Sequence, residues 1–460
     1  MAVWSTVSIS ALEYSRFDAD FYHPTYLNEL ALWRRLDQRI GVTKLGRIIS
    51  GPVRTGRTPR SRLIKGDEAT IRFIKTDTVR EGAIDFNNSA LLPTRAVGDR
   101  DIIPANAVVM TIIGATPEIV GRTAIVRTGD PACVTNQNVA VICTKSNFDP
   151  YFLTAYFQTK WGRDQVWRHA RRTEQVNLNC REVERILVPN LPADSQEAIG
   201  NLVRDSFAAA DLGVRLYQNA QYLLEAELGL DKLNLQKPAG YAAHFSTVGW
   251  SETMTAGRVD PQCFAPDARF YENWLHAHGQ CVRLGSLLRS TVKGRQQADV
   301  SEGAADYCSI KHISGREIIE ASTCASYPNT LLAGVNDLLL AITGATIGKI
   351  GIVKRYERLA FSGDLLCMRT WDTVDPHYLL LVLDHKIGQV QFNRWITGST
   401  NGHLAPRDIA RVLVPRLSGE AESKIADLVK RSLSQRQESE RLLEQSKNHV
   451  AQLIEESAQP

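Results

Sequence analysis

No two of the eight cysteines (133, 143, 180, 263, 281, 308, 324 and 367) stand close enough to form a C-x-x-C pair. A structural zinc site needs such pairs or a partner pair of histidines, so none is expected; the cysteines read as small reduced residues of a cytoplasmic protein. No run approaches the roughly 20 apolar residues of a membrane span. The start, "MAVWSTVSISALEYS", has no basic segment followed by an apolar one, which argues against an export signal. Charge of one sign is also scarce in excess: the net charge of +4 over 460 residues neither demands a polyanionic partner nor forbids one.

Catalytic signatures are missing as well. Neither a G-x-S-x-G elbow nor an H-E-x-x-H segment occurs, and Ser, His and Asp nominate no triad. The stretch "LLLAITGATIGKIGIVKRY" from Leu338 looks at first like a phosphate-binding loop. Only three residues separate Gly344 from Gly348, however, and Lys349 is followed by Ile350 where a metal-binding hydroxyl is needed. "FDPYF" at Asp149 and "VDPHY" at Asp375 lack the second proline of an adenine methyltransferase segment. They read as helix starts, with Asp as cap and Pro in the first turn.

What is present is a duplication. "VVMTIIGATPEIVGRTAIV" from Val108 matches "LLLAITGATIGKIGIV" from Leu338, apart from a three-residue insertion. Each reads as a hairpin in which Gly114 or Gly344 allows positive φ. Arg16, Asp18 and Pro24 answer Arg258, Asp260 and Pro266, and "TKLGRII" answers "VRLGSLL". From about Thr135 onward a constant shift of 226 residues, Asp149 to Asp375, aligns the two copies. Chance does not hold register over such a length.

Each half ends in a long polar helix behind "VPNLP" or "VPRLS". Asp194 and Glu197 fit a capping box. Ile199, Leu202, Val203 and Phe207 in the first helix, and Ile425, Leu428, Val429 and Leu433 in the second, recur at helical spacing. The helices should run about 50 Å at 1.5 Å per residue, with a stripe suited to a coiled-coil seam. The expected fold class is α+β: two homologous mixed domains joined by two long helices in an antiparallel coiled coil, with pseudo-two-fold symmetry. The expected boundaries are 1–192 and 241–417 for the domains, 193–240 for the first helix and linker, and 418–460 for the second helix.

Basic residues gather in loops. "RIISGPVRTGRTPRSRLIKGDEAT" carries Arg54, Arg57, Arg60, Arg62 and Lys65, and its counterpart "LRSTVKGRQQADV" carries Arg289, Lys293, Arg295 and Gln296. Arginine can bridge guanine, glutamine can bridge adenine, and any cation can neutralise phosphate. A second cluster, "RDQVWRHARRTEQVN", offers Arg168, Arg171 and Arg172 against Arg394, Asn401 and His403 in the other copy. Solvated surface charge explains these clusters too, and Arg122 and Lys349 fit turn capping better than phosphate contact.

The two halves, "ITGATIGKIGIV", the "VP-x-L" segment before each long helix and the helices themselves together resemble the specificity subunit of type I restriction–modification enzymes. The resemblance covers nearly the whole chain. It implies two target-recognition domains, each reading one half of a split site in double-stranded DNA, and helices that set the spacing and dock two methyltransferase subunits. This chain would bind no cofactor and no metal and would touch no membrane. S-adenosylmethionine would sit on the methyltransferase subunits, and ATP and Mg2+ on any restriction motor subunit that joins. The first copy departs from the pattern in "GATPEIVGRT" and "RRTEQVNL". Three other readings stay open here: a recognition subunit of a defence system without a motor, a DNA-modifying enzyme with a divergent site, and a duplicated protein-interaction module.

Overall fold

Asp149 and Asp375 each open a helix, Pro150–Gln158 and Pro376–Asp384, as their Asp-Pro sequences led us to expect. The Asp149 carboxylate accepts hydrogen bonds from the N–H groups of Tyr151 (2.7 Å) and Phe152 (3.3 Å), and that of Asp375 from His377 N–H (2.7 Å). Each satisfies donors that the first helical turn leaves unpaired. These helices pack on a sheet in a computed structural model that describes residues 4–13, 16–59, 69–116, 118–172, 174–232, 257–258, 260–300, 303–324, 332–398 and 401–459. The chain divides into a first unit, 1–209 with 438–460, and a second unit, 210–437.

The central sheet of the first unit orders Arg54–Thr55, Val139–Ile142, Val108–Thr111 and Thr123–Ile125, all antiparallel. Both middle strands are buried at every residue, which is why their sequences are unbroken apolar runs. Alternate side chains enter different cores. Val108, Met110, Ala140 and Ile142 meet Phe152 and Tyr156 of the helix, while Val109, Val139 and Val141 meet Ile74 and Ile103 on the other face.

The second unit repeats the plan, with Leu338–Ala341 between Leu365–Thr370 and Ile350–Ile352. Leu338 and Leu340 join one core, Leu339 and Ala341 another. Finer details recur at the same shift of 226. Gln165 Oε1 accepts from Leu187 N–H (3.4 Å), as Gln391 Oε1 does from Leu413 N–H (2.7 Å).

The long helices are Ala193–Glu227 and Gly419–Ala458. The first begins two residues earlier than a cap at Asp194 would allow; Pro192 O accepts from Gln196 N–H (3.0 Å), and Asp194 lies inside the first turn. Each helix contributes to both units. In the first unit, Ile199, Val203 and Phe207 pack with Leu443, Val450 and Ile454, and Ser206 Oγ donates to Ser439 O (2.8 Å). In the second, Tyr217, Ala220 and Leu224 pack with Ile425, Val429 and Leu433, and Ser432 Oγ donates to Gly213 O (2.7 Å). The segments run antiparallel within each unit. Ser206 corresponds to Ser432 and Gly213 to Ser439, so the same hydrogen bond is made twice. Leu428 packs half-buried against the second core, and Leu202 is half-buried.

Five cysteines are buried and three half-buried, and none forms a disulfide. Burial pushes the thiols of Cys133 and Cys308 up to about 12, where they stay protonated and behave as small apolar groups. No described helix is long and apolar enough to cross a membrane.

Candidate nucleic-acid interface

An arginine, buried in the first unit and half-buried in the second, frames the same corner of each. Arg16 donates to Asp18 (2.7 and 3.0 Å) and to the carbonyl of His169 (2.6 Å), and Arg258 donates to Asp260 (2.6 and 2.7 Å) and to the carbonyls of Arg394 (3.3 Å) and Ile396 (3.1 Å). These bonds fix the backbone that leads into the second polar cluster. Their guanidiniums also hold the carboxyls of Asp18 and Asp260 below the usual range.

Just beyond this corner the structure joins two motifs that are far apart in sequence. Arg171 and Arg172 pair with Asn177 and Val176, and Val176 and Asn177 pair in turn with Gly114 and Ile113. In the second unit Thr397 and Thr343 both bridge to His403. The glycine turn and the polar loop therefore form one surface. Gly344 has positive φ (+75°) as expected and Gly114 does not, whereas the later glycine of the turn has it in both copies, Gly121 (+87°) and Gly348 (+91°). Gly114 is needed for another reason: a Cβ there would lie 2.7 Å from the Ile119 side chain. Arg122 Nε donates to Glu118 O (2.6 Å) and Lys349 Nζ to Ile310 O (3.3 Å), so both cations tie down the turn region.

Two expected DNA contacts need correction. Arg168 and Arg394 are only 7% and 5% exposed. Arg168 lies over the Phe21 ring, 4.4 Å from its centroid, near Glu13; Arg394 pairs with Glu272 and lies 5.0 Å from the Trp395 centroid. Buried guanidiniums held by rings and carboxylates cannot reach a phosphate, and these two brace the domain. His169 beside them is held neutral, its pKa pushed down to about 3 by burial and then by Arg168 and Arg16. Arg171 donates to Glu182 (2.6 Å) with half its side chain exposed, and Arg172 donates to Asp20 (3.3 Å) and the Tyr26 hydroxyl (2.9 Å). Asn401 is exposed and His403 half-buried.

The first basic loop starts as a strand. Arg54 donates to Ile102 O (3.0 Å), and Arg57 donates to Asp101 (3.1 Å) with its side chain 80% exposed. Arg60, Arg62 and Lys65 lie outside the described residues. Between Arg54 and Arg57, Gly56 crosses so close to Thr135 that a Cβ would sit 1.8 Å from its carbonyl oxygen; Gly294 crosses Phe361 and Ser362 in the same way. Arg57, Arg95 and Asp101 line a groove of about 670 Å3. Arg95 was not apparent from sequence because it stands 38 residues from Arg57, with no motif linking them.

In the second unit Lys293, Arg295 and Gln296 are exposed around Gly294, and Gln296 Oε1 accepts from Ser362 Oγ (2.9 Å). Arg289 does not join them. It stands at the other end of the strand Leu288–Lys293, about 13 Å from Lys293 at 3.3 Å per residue, with its guanidinium 5.9 Å from the Trp371 centroid.

This set suits polyanion contact. An exposed pair such as Arg57–Asp101 is worth less than about 1 kcal/mol, so Arg57 can exchange its carboxylate for a phosphate. No group of three or more His, Cys, Asp or Glu among the described residues is placed to hold a metal ion.

No family model matches the chain, and no curated protein matches it. Solved structures do. The S subunit of a type I restriction–modification system from M. genitalium shares 12% identity, covering 91% of this chain and 96% of that one, with a TM-score of 0.44. The HsdS subunit from Thermoanaerobacter tengcongensis shares 14% over 91% of this chain and 95% of that one (TM-score 0.29). The type IIG restriction endonuclease BpuSI shares 10% over 43% of this chain and 35% of that one (TM-score 0.29). Two of these, the M. genitalium S subunit and the T. tengcongensis HsdS subunit, match along nine-tenths of this chain.

Proposed function

We propose that this chain is the non-catalytic specificity subunit of a type I restriction–modification complex. Its two domains read the two halves of a split site in double-stranded DNA. One observation carries the reading: equal frames carry unequal surfaces. The Arg-x-Asp corner, the glycine crossing and the shared serine bond recur in both units. At the exposed positions, by contrast, Arg171 and Arg172 give way to Thr397 and Gly398, and Thr58, next to Arg57, gives way to Gln296, next to Arg295. A duplicated enzyme or a duplicated adaptor has no evident use for that pattern, whereas readers of two different half-sites require it.

In this reading Arg54, Arg57, Arg60, Arg62, Lys65 and Arg171 with Arg172 serve the first half-site. Lys293, Arg295, Gln296, Asn401 and His403 serve the second. The paired long helices set the distance between half-sites and dock two methyltransferase subunits. Those subunits bring S-adenosylmethionine, and the target adenines are extruded into them. A motor subunit, where one joins, brings ATP and Mg2+.

The test is methylation mapping in cells after residues 1–190 are exchanged for the same region of a relative. One half of the methylated motif should change while the other stays. Change in both halves, or in neither, would sink the idea of independent readers.

A further inference from the structure

The helix start at Asp375 does more in the second unit than in the first. Asp375 Oδ1 accepts from the backbone N–H of His377 and lies 3.0 Å from Nδ1 of the same imidazole. A carboxylate only accepts, so Nδ1 carries the proton and Nε2 is left with its lone pair. That lone pair faces Lys354 Nζ at 2.9 Å. The imidazole is 2% exposed and the lysine half-buried. An amine, a base and a group orienting the base stand in line, the arrangement that activates a nucleophile.

The first unit serves as an internal control. At the corresponding positions it has Arg127 for Lys354, Tyr151 for His377 and Arg204 for Lys430, with Asp149 retained. There Arg204 donates to Asp149 (2.7 Å) and stacks 4.3 Å from the Tyr151 centroid, while Arg127 pairs with Asp130 (3.0 Å). Arginine does not lose its proton, so that version is a static brace. The second unit has put two titratable amines and an imidazole into the same place. Burial pushes the Lys354 amine below the ordinary lysine range and Lys430 adds to this, against the opposing carboxylates of Glu317 and Asp375. A groove of about 480 Å3 opens at Asp375 and Pro376, next to His377 in sequence, with Arg289 on its wall.

We propose that Lys354 is a covalent modification site whose amine takes an acyl group from a small activated donor, an acyl phosphate or a thioester, with His377 as the base that Asp375 orients. The ammonium first gives one proton to solvent. The neutral amine then attacks the acyl carbon, forming the C–N bond as the bond from carbon to phosphate oxygen (or to sulfur) breaks, and phosphate (or thiolate) leaves with the electron pair. The second amine proton passes to His377 Nε2 and on to solvent. No oxidant or reductant enters. The product is a neutral amide where a cation stood.

The full-length chain is incubated with acetyl phosphate alone, and separately with acetyl-coenzyme A alone. Acetylation rates are then read lysine by lysine by peptide mass spectrometry. Lys354 should react roughly tenfold faster than the exposed Lys293 and Lys424 with at least one donor, and the arm that responds identifies the donor. H377Y, which copies the first unit, should bring Lys354 to or below the rate of those two and leave their rates unchanged. Lys354 no faster than they are with either donor, or an unaltered rate in H377Y, overturns the proposal. Should circular dichroism show H377Y misfolded, the pH profile of the unaltered chain decides. Lys354 labelling must then rise at lower pH than that of Lys293, and coincident profiles overturn the proposal equally.

Discussion

The two units seat the same piece of helix in different ways. In the second, the Tyr217 hydroxyl and Arg316 Nε both donate to Asp384 Oδ2 (2.8 and 2.6 Å), and the guanidinium lies 3.7 Å from the tyrosine centroid. Glu225 meets His385 Nε2 one residue on, at 3.0 Å. In the first, the corresponding side chains are Leu443 and Gln158, facing Gly82. Gln158 is buried, and neither its amide oxygen nor its nitrogen has a partner. The apolar stripe places the helix in both units. The polar chemistry around it is free to differ, and it is completed in one unit only.

The largest effect expected from breaking this contrast is in the second unit. D384A strands Arg316 and the Tyr217 hydroxyl and should cost about 2–3 kcal/mol, below the range for a fully buried pair because Arg316 is a third exposed. Hydrogen exchange read by peptide suits a chain with two units, where one global unfolding energy is ill defined. Protection should fall around 217–228 and 376–395 and hold in the first unit. Loss spread evenly over both would mean that the seats are not separate.

A pH-dependent difference comes next. Glu29 in the first unit is buried, and burial raises its carboxyl to about 6, against the opposing pull of Lys160 at 2.5 Å. Its counterpart in the second unit is Tyr271, with Lys386 5.6 Å from the ring centroid. A carboxyl whose folded pKa is raised stabilises the fold below its unfolded value of 4.5, and that contribution is lost as pH rises through 6. The stability difference between E29Q and the unaltered first unit should therefore shift in favour of E29Q by up to about 2 kcal/mol from pH 4.5 to 7. A difference independent of pH would show that Glu29 titrates normally.

Q158L should sharpen the comparison in the opposite sense. It removes an unsatisfied buried amide and should stabilise the first unit by about 1 kcal/mol, seen as slower exchange around 150–158 and 440–450. Slower exchange in the second unit instead would be inconsistent with the local account. The smallest stability effect belongs to R57A, under about 0.5 kcal/mol for an exposed pair. Its DNA affinity in the assembled complex should nevertheless fall, with a salt dependence shallower by about one ion. An unchanged salt slope would remove Arg57 from the interface.

How far such details could be read in advance depended on whether their cause was local. The helix starts at Asp149 and Asp375 and the long apolar stripes were legible because cap and period are written in neighbouring residues. The exchange of helix ends between units was not, since Ile199 or Val450 announces burial without saying against what. Arg168 and Arg394 misled because a buried arginine and a surface arginine have the same letter. A signal was nevertheless available: that position keeps its arginine in both copies while Arg171 and Arg172 change to Thr397 and Gly398. Within a duplicated chain, sameness marks the frame and difference marks the surface.

The exchanged helix ends also bear on the order in which the protein is made. The first unit is begun by residues that leave the ribosome ahead of the whole second unit, yet its core includes Val450, Ile454 and Ala458. Residues 210–437, by contrast, form a unit contiguous in the chain. The unit started first is therefore finished last. While residues 210–437 are being made, the nascent chain must carry a partly uncovered apolar stripe along Ile199 and Val203, open to chaperones and to the wrong neighbour until Val450 and Ile454 emerge.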